Sequence, residues 1–251
     1  ATAFTSAIAK QGGKPILAIM SSFIQRTYDQ LSQDMCLNNS PATILVYWGG
    51  ISPADCTHLC TFDIPLISNI PNLVYLAPTN KEEHLAMLDW AVNQTKHPVA
   101  IRVPTAPLIS SGIKDETDYS ILNKYKIEKN GEKVAIIGLG NFLNLAKETA
   151  LEIKNTLGID PTIINPRFIT GIDKELLTKI QENHSVVITL EDGVVDGGFG
   201  EKITRFYGKS NIKVLNYGAK KEFTDRIALD ELYKKYHLTK ELITNDIKEI
   251  L

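Results

Sequence analysis

The side chains best suited to chemistry lie in one short stretch, Asp55-Cys56-Thr57-His58-Leu59-Cys60. An imidazole changes charge near neutral pH, which makes His58 a candidate proton-transfer group with Asp55 three residues before it. Spacing alone gives a plainer alternative, a capped or surface loop histidine. Phe23 invites two readings, a core aromatic or a platform for a flat heterocycle. Arg26 and Arg102 would supply positive charge to a phosphate or carboxylate, or serve as ordinary salt-bridge members. Cys56, His58 and Cys60 are too crowded for the usual zinc spacings, and no second cluster completes a shell, so no metal site is expected. Gly138-Leu139-Gly140 and the run from Gly193 to Gly200 each follow a strand and open a helix, a setting that can cradle an anion. The first lacks the third glycine of a dinucleotide fingerprint, and Glu191 and Asp192 precede the second, so tight turns are the preferred reading.

These residues need a scaffold, and the hydrophobic pattern supplies one. Short apolar runs at 16–20, 42–47, 73–77 and 98–103 read as strands, and amphipathic stretches between them read as helices. Position 22 begins a helical pattern that extends to position 38. Asn80 with Glu83 three residues on marks a helix start. A second alternation begins at Glu132, with strands at 133–138, 162–165, 185–190 and 213–216, and a helical tail from Ile227 interrupted near His237. Strand–helix alternation implies parallel sheets with right-handed crossovers. The expected fold is therefore α/β, as two three-layer domains with mainly parallel sheets. The boundaries are 1–105 for the first domain, 106–130 for a Pro- and Ser-containing linker with room for a short strand, and 131–251 for the second. In open sheets of this kind, ligands bind beyond the C-terminal strand ends. That rule selects the loops holding Phe23, Arg26, His58 and Arg102. The first domain opens on a helix with no strand before it, which suggests that its front part is missing.

Composition narrows the class. Among 251 residues, 43% are hydrophobic and 22% charged, ordinary for a globular chain. A formal net charge of -2 argues against a nucleic-acid partner. No apolar run is long enough to cross a bilayer, and no signal peptide is apparent. Three cysteines, an odd and sparse set, fit a reducing cytoplasm.

The run from Gly13 to Gln30, GKPILAIMSSFIQRTYDQ, resembles the pyrimidine-binding domain of the 1-deoxy-D-xylulose-5-phosphate synthase and transketolase family. Ala54-Asp55-Cys56-Thr57-His58 is similar to that family's Asp-Gly-x-Thr-His segment with one residue deleted. Phe62-Asp63, Ile70-Pro71-Asn72, Ala77-Pro78 and Ala100-Ile101-Arg102-Val103-Pro104 continue the likeness in order. Asn165-Pro166-Arg167-Phe168, Val187-Ile188-Thr189-Leu190-Glu191-Asp192 and Gly197-Gly198-Phe199-Gly200 resemble its C-terminal domain. The resemblance implies a thiamine diphosphate-binding fold pyrimidine domain lacking its start, then a transketolase C-terminal domain. It implies thiamine diphosphate as cofactor, with magnesium bound in the intact enzyme by an N-terminal domain absent here. Phe23 would stack on the aminopyrimidine with Arg26 supporting that site. Asp55 and His58 would face the reacting carbonyls, His58 shuttling a proton, and Arg102 would bind the substrate phosphate.

The implied activity is a cytoplasmic, homodimeric transferase of aldehyde or ketone residues. It would join a 2-keto acid or ketose phosphate donor to an aldehyde acceptor, as in carboligation of pyruvate with glyceraldehyde 3-phosphate in isoprenoid biosynthesis. The fragment alone would be inactive. Three departures bear on the substrate: Met20 replaces a family Tyr, Trp48 a phosphate-gripping Arg, and Thr105 a second Arg. Trp has neither the charge nor the forked donors of Arg. The alternatives are a transketolase-like enzyme with another substrate and a non-catalytic assembly subunit.

Overall fold

Runs of β-branched residues buried on both faces form most of the strands, as parallel sheets covered by helices require. A computed structural model describes all residues, 1–251. The first unit contains α1 (Thr2–Lys10), β1 (Ile16–Met20), α2 (Ser21–Ile24), β2 (Thr43–Gly49), α3 (Asp63–Ile67), β3 (Val74–Leu76), α4 (Lys81–Asn93) and β4 (Val99–Pro104). Its four strands are parallel, in the order β1-β2-β4-β3. The second unit contains β5 (Lys126–Lys129), β6 (Lys133–Gly138), α5 (Leu143–Leu157), β7 (Thr162–Asn165), α6 (Lys174–Ile180), β8 (His184–Val194), α7 (Phe199–Tyr207), β9 (Lys213–Ala219), α8 (Leu229–Lys235) and α9 (Lys240–Ile250). Its sheet has the order β5-β7-β6-β8-β9, and only β5 runs antiparallel to its neighbour.

The period-2 alternation of strands sorts side chains between layers. In β2, Leu45 joins Met87 and Ala91 of α4 on one face. Ile44 and Val46 point to the other, against Leu31 and Met35. In β6, Val134 and Ile136 pack on α5 and α9, whereas Ala135 and Ile137 face α6 and α7. The inner faces of both sheets belong to one continuous apolar cluster, which runs from Ile24 and Tyr75 through Ile164 to Phe199 and Tyr207. The two units are thus packed as one body.

Asn80 caps α4 as its spacing predicts, accepting from the Glu83 N–H at 2.9 Å. The continuous helix expected over 22–38 does not form. α2 gives way to a 3-10 turn at Gln25–Thr27 and a π-helical segment at Gln30–Cys36. Thr27 and Ser32 hydroxyls donate to the carbonyls of Ile24 and Asp29, a local competition with the helical ladder. The wider π turn brings Leu31, Met35 and Cys36 all into the core. The stretch before β5 is pinned along α4: Ser111 N–H donates to Glu82, and Tyr119 is buried between Trp90 and Phe168. β8 extends beyond its expected end at position 190, because it pairs again with β9 at Val194 after an irregularity. Glu191 and Asp192 are thereby buried inside a strand.

The units meet through backbone pairing and buried charge. Leu76 of β3 bridges Phe168, with Ala77 N–H donating to the Arg167 carbonyl at 2.8 Å and Ile169 N–H to that of Tyr75 at 2.7 Å. The Arg102 guanidinium donates to Asp63 through Nε at 2.6 Å and Nη2 at 3.0 Å, and to the Asp192 carbonyl at 2.6 Å. Burial disfavours its charge, but the Asp63 carboxylate more than reverses this and keeps the guanidinium charged. Asp192 uses its carboxylate to accept from the Ile51 N–H at 2.8 Å and the Asn141 amide at 2.9 Å. Glu191 accepts the first two N–H groups of α7, from Phe199 and Gly200, each at 2.8 Å. The glycine-rich segment before α7 is therefore a turn closed on its own carboxyl group, as preferred above, and the N–H groups of Gly198, Phe199 and Gly200 at the helix start are already taken.

Two predictions follow from these buried groups. Asp63→Ala strands the Arg102 charge and the Tyr75 hydroxyl in the interior, and should cost about 3–5 kcal/mol in denaturant unfolding. Burial pushes the Glu191 carboxyl up to about 7, despite two N–H donors. The native state then holds a proton that the unfolded chain releases near the usual carboxylate range. Through this group, stability is full below that range and falls as pH rises to about 7, by on the order of 3 kcal/mol. Glu191→Gln should flatten this part of the stability–pH curve between about pH 5 and 7. An unaltered slope in thermal melts would remove Glu191 as its source.

Candidate active site

The site is built on the C-terminal ends of β1 and β2. β1 ends at Met20, and α2 starts at once, so Phe23 emerges beside the strand end with its side chain 43% exposed. β2 ends in Trp48-Gly49, where the register against β4 shifts, and Gly50 follows. Trp48 adopts φ +59 and Gly50 φ +138. The two glycines are required by close approach. A Cβ on Gly49 would meet Arg102 Nε at 2.7 Å, and one on Gly50 would meet Asp192 Oδ2 at 2.2 Å. The chain therefore enters the loop pressed against the buried charges and leaves it at Cys60, whose carbonyl accepts from Gly50 N–H at 2.8 Å. Ser21 Oγ also donates to the Cys60 carbonyl, at 3.2 Å, tying α2 to the loop's exit.

Within the loop, Asp55 organises its own neighbourhood. Its Oδ1 accepts from the Thr57 N–H at 2.9 Å, an Asx turn, and from the Thr57 hydroxyl. His58 N–H donates to the Asp55 carbonyl at 3.0 Å. His58 Nδ1 lies 2.7 Å from Thr57 Oγ1 and 3.3 Å from Asp55 Oδ1. Thr57 has one hydroxyl proton and gives it to Asp55, so Thr57 Oγ1 accepts from His58. This assigns the His58 proton to Nδ1 and the lone pair to Nε2. Hydrogen bonds from Thr57, then from His58, hold the Asp55 carboxyl down to about 2. The His58 ring stands edge-on to Phe23, with centroids 5.6 Å apart and planes at 70°. An exposed aromatic, an imidazole with a free nitrogen and an ionised carboxylate thus share one surface. That combination can seat a flat ring and exchange a proton beside it.

Of the residues singled out by sequence, Phe23, Asp55 and His58 come together. Arg26 lies three residues past Phe23 in the 3-10 turn, exposed and without an ion pair. Arg102 lies apart from this group. It is 3% exposed, with Nε and Nη2 donating to Asp63 and Nη2 also to the Asp192 carbonyl, which gives it a structural part at the domain boundary. Trp48 is 54% exposed at the loop's entrance. Sequence reasoning passed over Thr57, whose position between Asp55 and His58 was the available signal. It also missed the segment 220–227 of the second unit, which lies against this loop and which no local pattern could connect to it.

The comparisons agree with this architecture. The family profile described as "Transketolase, pyrimidine binding domain" matches residues 1–108, and "Transketolase, C-terminal domain" matches 123–243. Two relatives called 1-deoxy-D-xylulose-5-phosphate synthase align over 100% of the chain. One, from Clostridium tetani, is 34% identical, and one, from Carboxydothermus hydrogenoformans, is 35% identical. The chain spans 40% of the length of each. Among solved structures, a "Split gene transketolase, inactive beta4 tetramer" superposes with a TM-score of 0.83 at 21% identity, over 98% of this chain and 79% of its own. A transketolase from Campylobacter jejuni gives 0.78 at 15% identity, over 99% of this chain and 38% of its own. The chain therefore belongs to the transketolase family, as that family's pyrimidine-binding domain followed by its C-terminal domain.

Proposed function

We propose that this chain supplies the aminopyrimidine-binding half of the active site of a thiamine diphosphate-dependent transferase of aldehyde or ketone residues, resembling 1-deoxy-D-xylulose-5-phosphate synthase. The observation that carries the reading is the edge-on Phe23–His58 pair at 5.6 Å, beside an ionised Asp55. An exposed ring flanking a proton-exchanging group fits a flat heteroaromatic cofactor and a reacting carbonyl next to it. Phe23 would carry the aminopyrimidine, with Arg26 at its margin. When bound, the cofactor supplies the electron sink needed to cleave and form carbon–carbon bonds beside a carbonyl. This chain's part is to orient and to move protons. His58 Nε2 takes or gives the proton of the substrate hydroxyl, while Thr57 and Asp55 hold the Nδ1 proton in place. Magnesium and the diphosphate would be bound by another part of the assembled enzyme, a cytoplasmic homodimer in this reading.

The donor would be a 2-keto acid such as pyruvate, and the acceptor an aldehyde such as glyceraldehyde 3-phosphate. A transketolase-like enzyme with a different acceptor is the second reading. Three observations favour it: Arg102 pairs with Asp63, Trp48 stands at the loop entrance, and Thr105 is exposed beyond β4. Anionic acceptors would then lose the fork that the family's arginines provide.

The test is to assemble this chain with the family's diphosphate-binding domain and to measure cofactor-dependent carboligation across phosphorylated and unphosphorylated aldehydes. Assembled protein with no turnover on pyruvate, ketose phosphates or simple aldehydes would sink the proposal. Phe23→Ala should weaken cofactor binding by roughly 0.5–1.5 kcal/mol beyond the lost burial, as read by calorimetry. Thr57→Val keeps the loop's shape but breaks the hydroxyl relay, and should lower kcat about 10-fold or more with little change in KM. Equal kcat values for Thr57→Val and the parent would remove the relay from the mechanism.

A further inference from the structure

The His58 loop is held from outside its own domain. The segment 220–227 of the second unit, between β9 and α8, runs alongside it. Cys56 N–H donates to Asp225 Oδ1 at 3.2 Å, and Arg226 N–H donates to the Ala54 carbonyl at 3.1 Å. These two bonds bracket Asp55 on both sides. Arg226 Nη2 lies 4.0 Å from Asp55 Oδ2, while Oδ1 of the same carboxylate serves Thr57 and His58. One residue before this pair is Thr224, and before that Phe223, whose ring stands edge-on to Phe62 at the loop's far end, with centroids 6.0 Å apart. Arg226 reaches this position with φ +48, a backbone state that non-glycine residues seldom adopt. Deeper down, Asp192 of β8 accepts from Ile51 N–H at the loop's start.

We propose that Asp225 and Arg226 are positioning residues for the Asp55–His58 pair, so that the C-terminal domain sets the geometry of proton transfer in the pyrimidine-binding domain. Residues 51–59 contain no helix or strand, and among these the Ala54 carbonyl and the Cys56 N–H find their partners only across the domain boundary. Without those bonds the backbone on either side of Asp55 is free to rotate, and the carboxylate that fixes the His58 proton on Nδ1 loses its aim. The Arg226 guanidinium adds a weak, exposed contact, about a surface ion pair in strength, so the backbone bonds and the Asp225 acceptor carry the effect. A misaligned base costs rate through orientation, with substrate binding left nearly as it was.

This inference deepens the proposed function and uses its assignment of His58, yet the first measurement needs no turnover. Nitrogen-15 spectra of the His58 ring in the intact chain should show the Nδ1–H tautomer dominant. Asp225→Ala should drive it toward a mixture of tautomers, and Asp225→Asn, which retains an acceptor for Cys56 N–H, should restore it. Arg226→Pro removes the N–H and forbids the positive φ, and should act as Asp225→Ala does. In the assembled enzyme, both disruptive variants should lower kcat about 10-fold while KM changes less than about 2-fold. His58 spectra identical to the parent in Asp225→Ala and Arg226→Pro would overturn the proposal, as would loss of the tautomer in Asp225→Asn equal to that in Asp225→Ala. Absence of carboligation in the parent enzyme would overturn the functional reading alone, since the spectra still decide the positioning role.

Discussion

One buried guanidinium determines how this chain is put together. Arg102 closes β4 with its charge out of water, a state that costs several kcal/mol unless the fork is matched by acceptors in good geometry. Asp63 provides the match for two donors and Asp192 the carbonyl for a third. These acceptors come from the start of α3 and from β8, so satisfying a single side chain requires the first sheet, the helix after the active loop and the second sheet to be in register together. Tyr75 of β3 donates to the same Asp63. Asp192, once drawn to this point, has its carboxylate left over, and it takes the Ile51 N–H and the Asn141 amide. The arrangement behaves as a network in which each group is needed to satisfy the next, and such networks are costly when incomplete.

That constraint separates structural charge from chemical charge. The ionisable groups sealed at the domain boundary, Arg102, Asp63, Glu191 and Asp192, are committed to one another or to backbone donors. Lys202 belongs with them: burial pulls its ammonium down to about 8, and it donates to Ser68 Oγ and the Ile169 carbonyl. His58 and Asp55 at the loop's outer surface, and Arg26 in the 3-10 turn, keep exposed atoms. A strongly shifted pKa is often a sign of a functional site. Here the sign would mislead, because burial raises both Glu191 and Asp192 although the first is a helix cap and the second a backbone anchor, while the proton-exchanging candidate sits on an exposed loop.

The fold was legible in the sequence to the extent that it is local. Strand positions followed from apolar runs, α4 from Asn80 and Glu83, and the break in the C-terminal helices from His237, which takes φ +57. The helix over 22–38 was misread because hydroxyl back-bonds and π-turn burial act below the resolution of a 3.6-residue pattern. The end of β8 was misread because burial of two adjacent carboxylates contradicts any hydrophobicity rule, and only the three-dimensional partners explain it. The site followed the same division. Phe23, Asp55 and His58 could be grouped in advance because strand-end loops and short motifs are local features, and the structure places the three side by side. The partner of Arg102 was not legible, because an arginine's partner cannot be read from its own neighbourhood, and Asp63 lies 39 residues away in the chain.

The glycine pair at the loop's entrance shows how the two kinds of information meet. Gly49 and Gly50 stand next to each other at the start of a long loop. In the structure they lie against Arg102 and Asp192 so closely that a methyl group on either would overlap them. Their role is clearance: they let the backbone of the active loop run directly over the buried ion network, and Trp48 accepts a positive φ to deliver them there. The loop is thereby referenced to the buried ion network at one end and to the segment 220–227 at the other. A loop of irregular backbone needs such external references to hold a catalytic geometry, because it has no ladder of its own hydrogen bonds to do so. The C-terminal domain, which contributes neither Phe23 nor His58, supplies Asp192 to the first reference and the whole of the second, so it touches the loop from both ends.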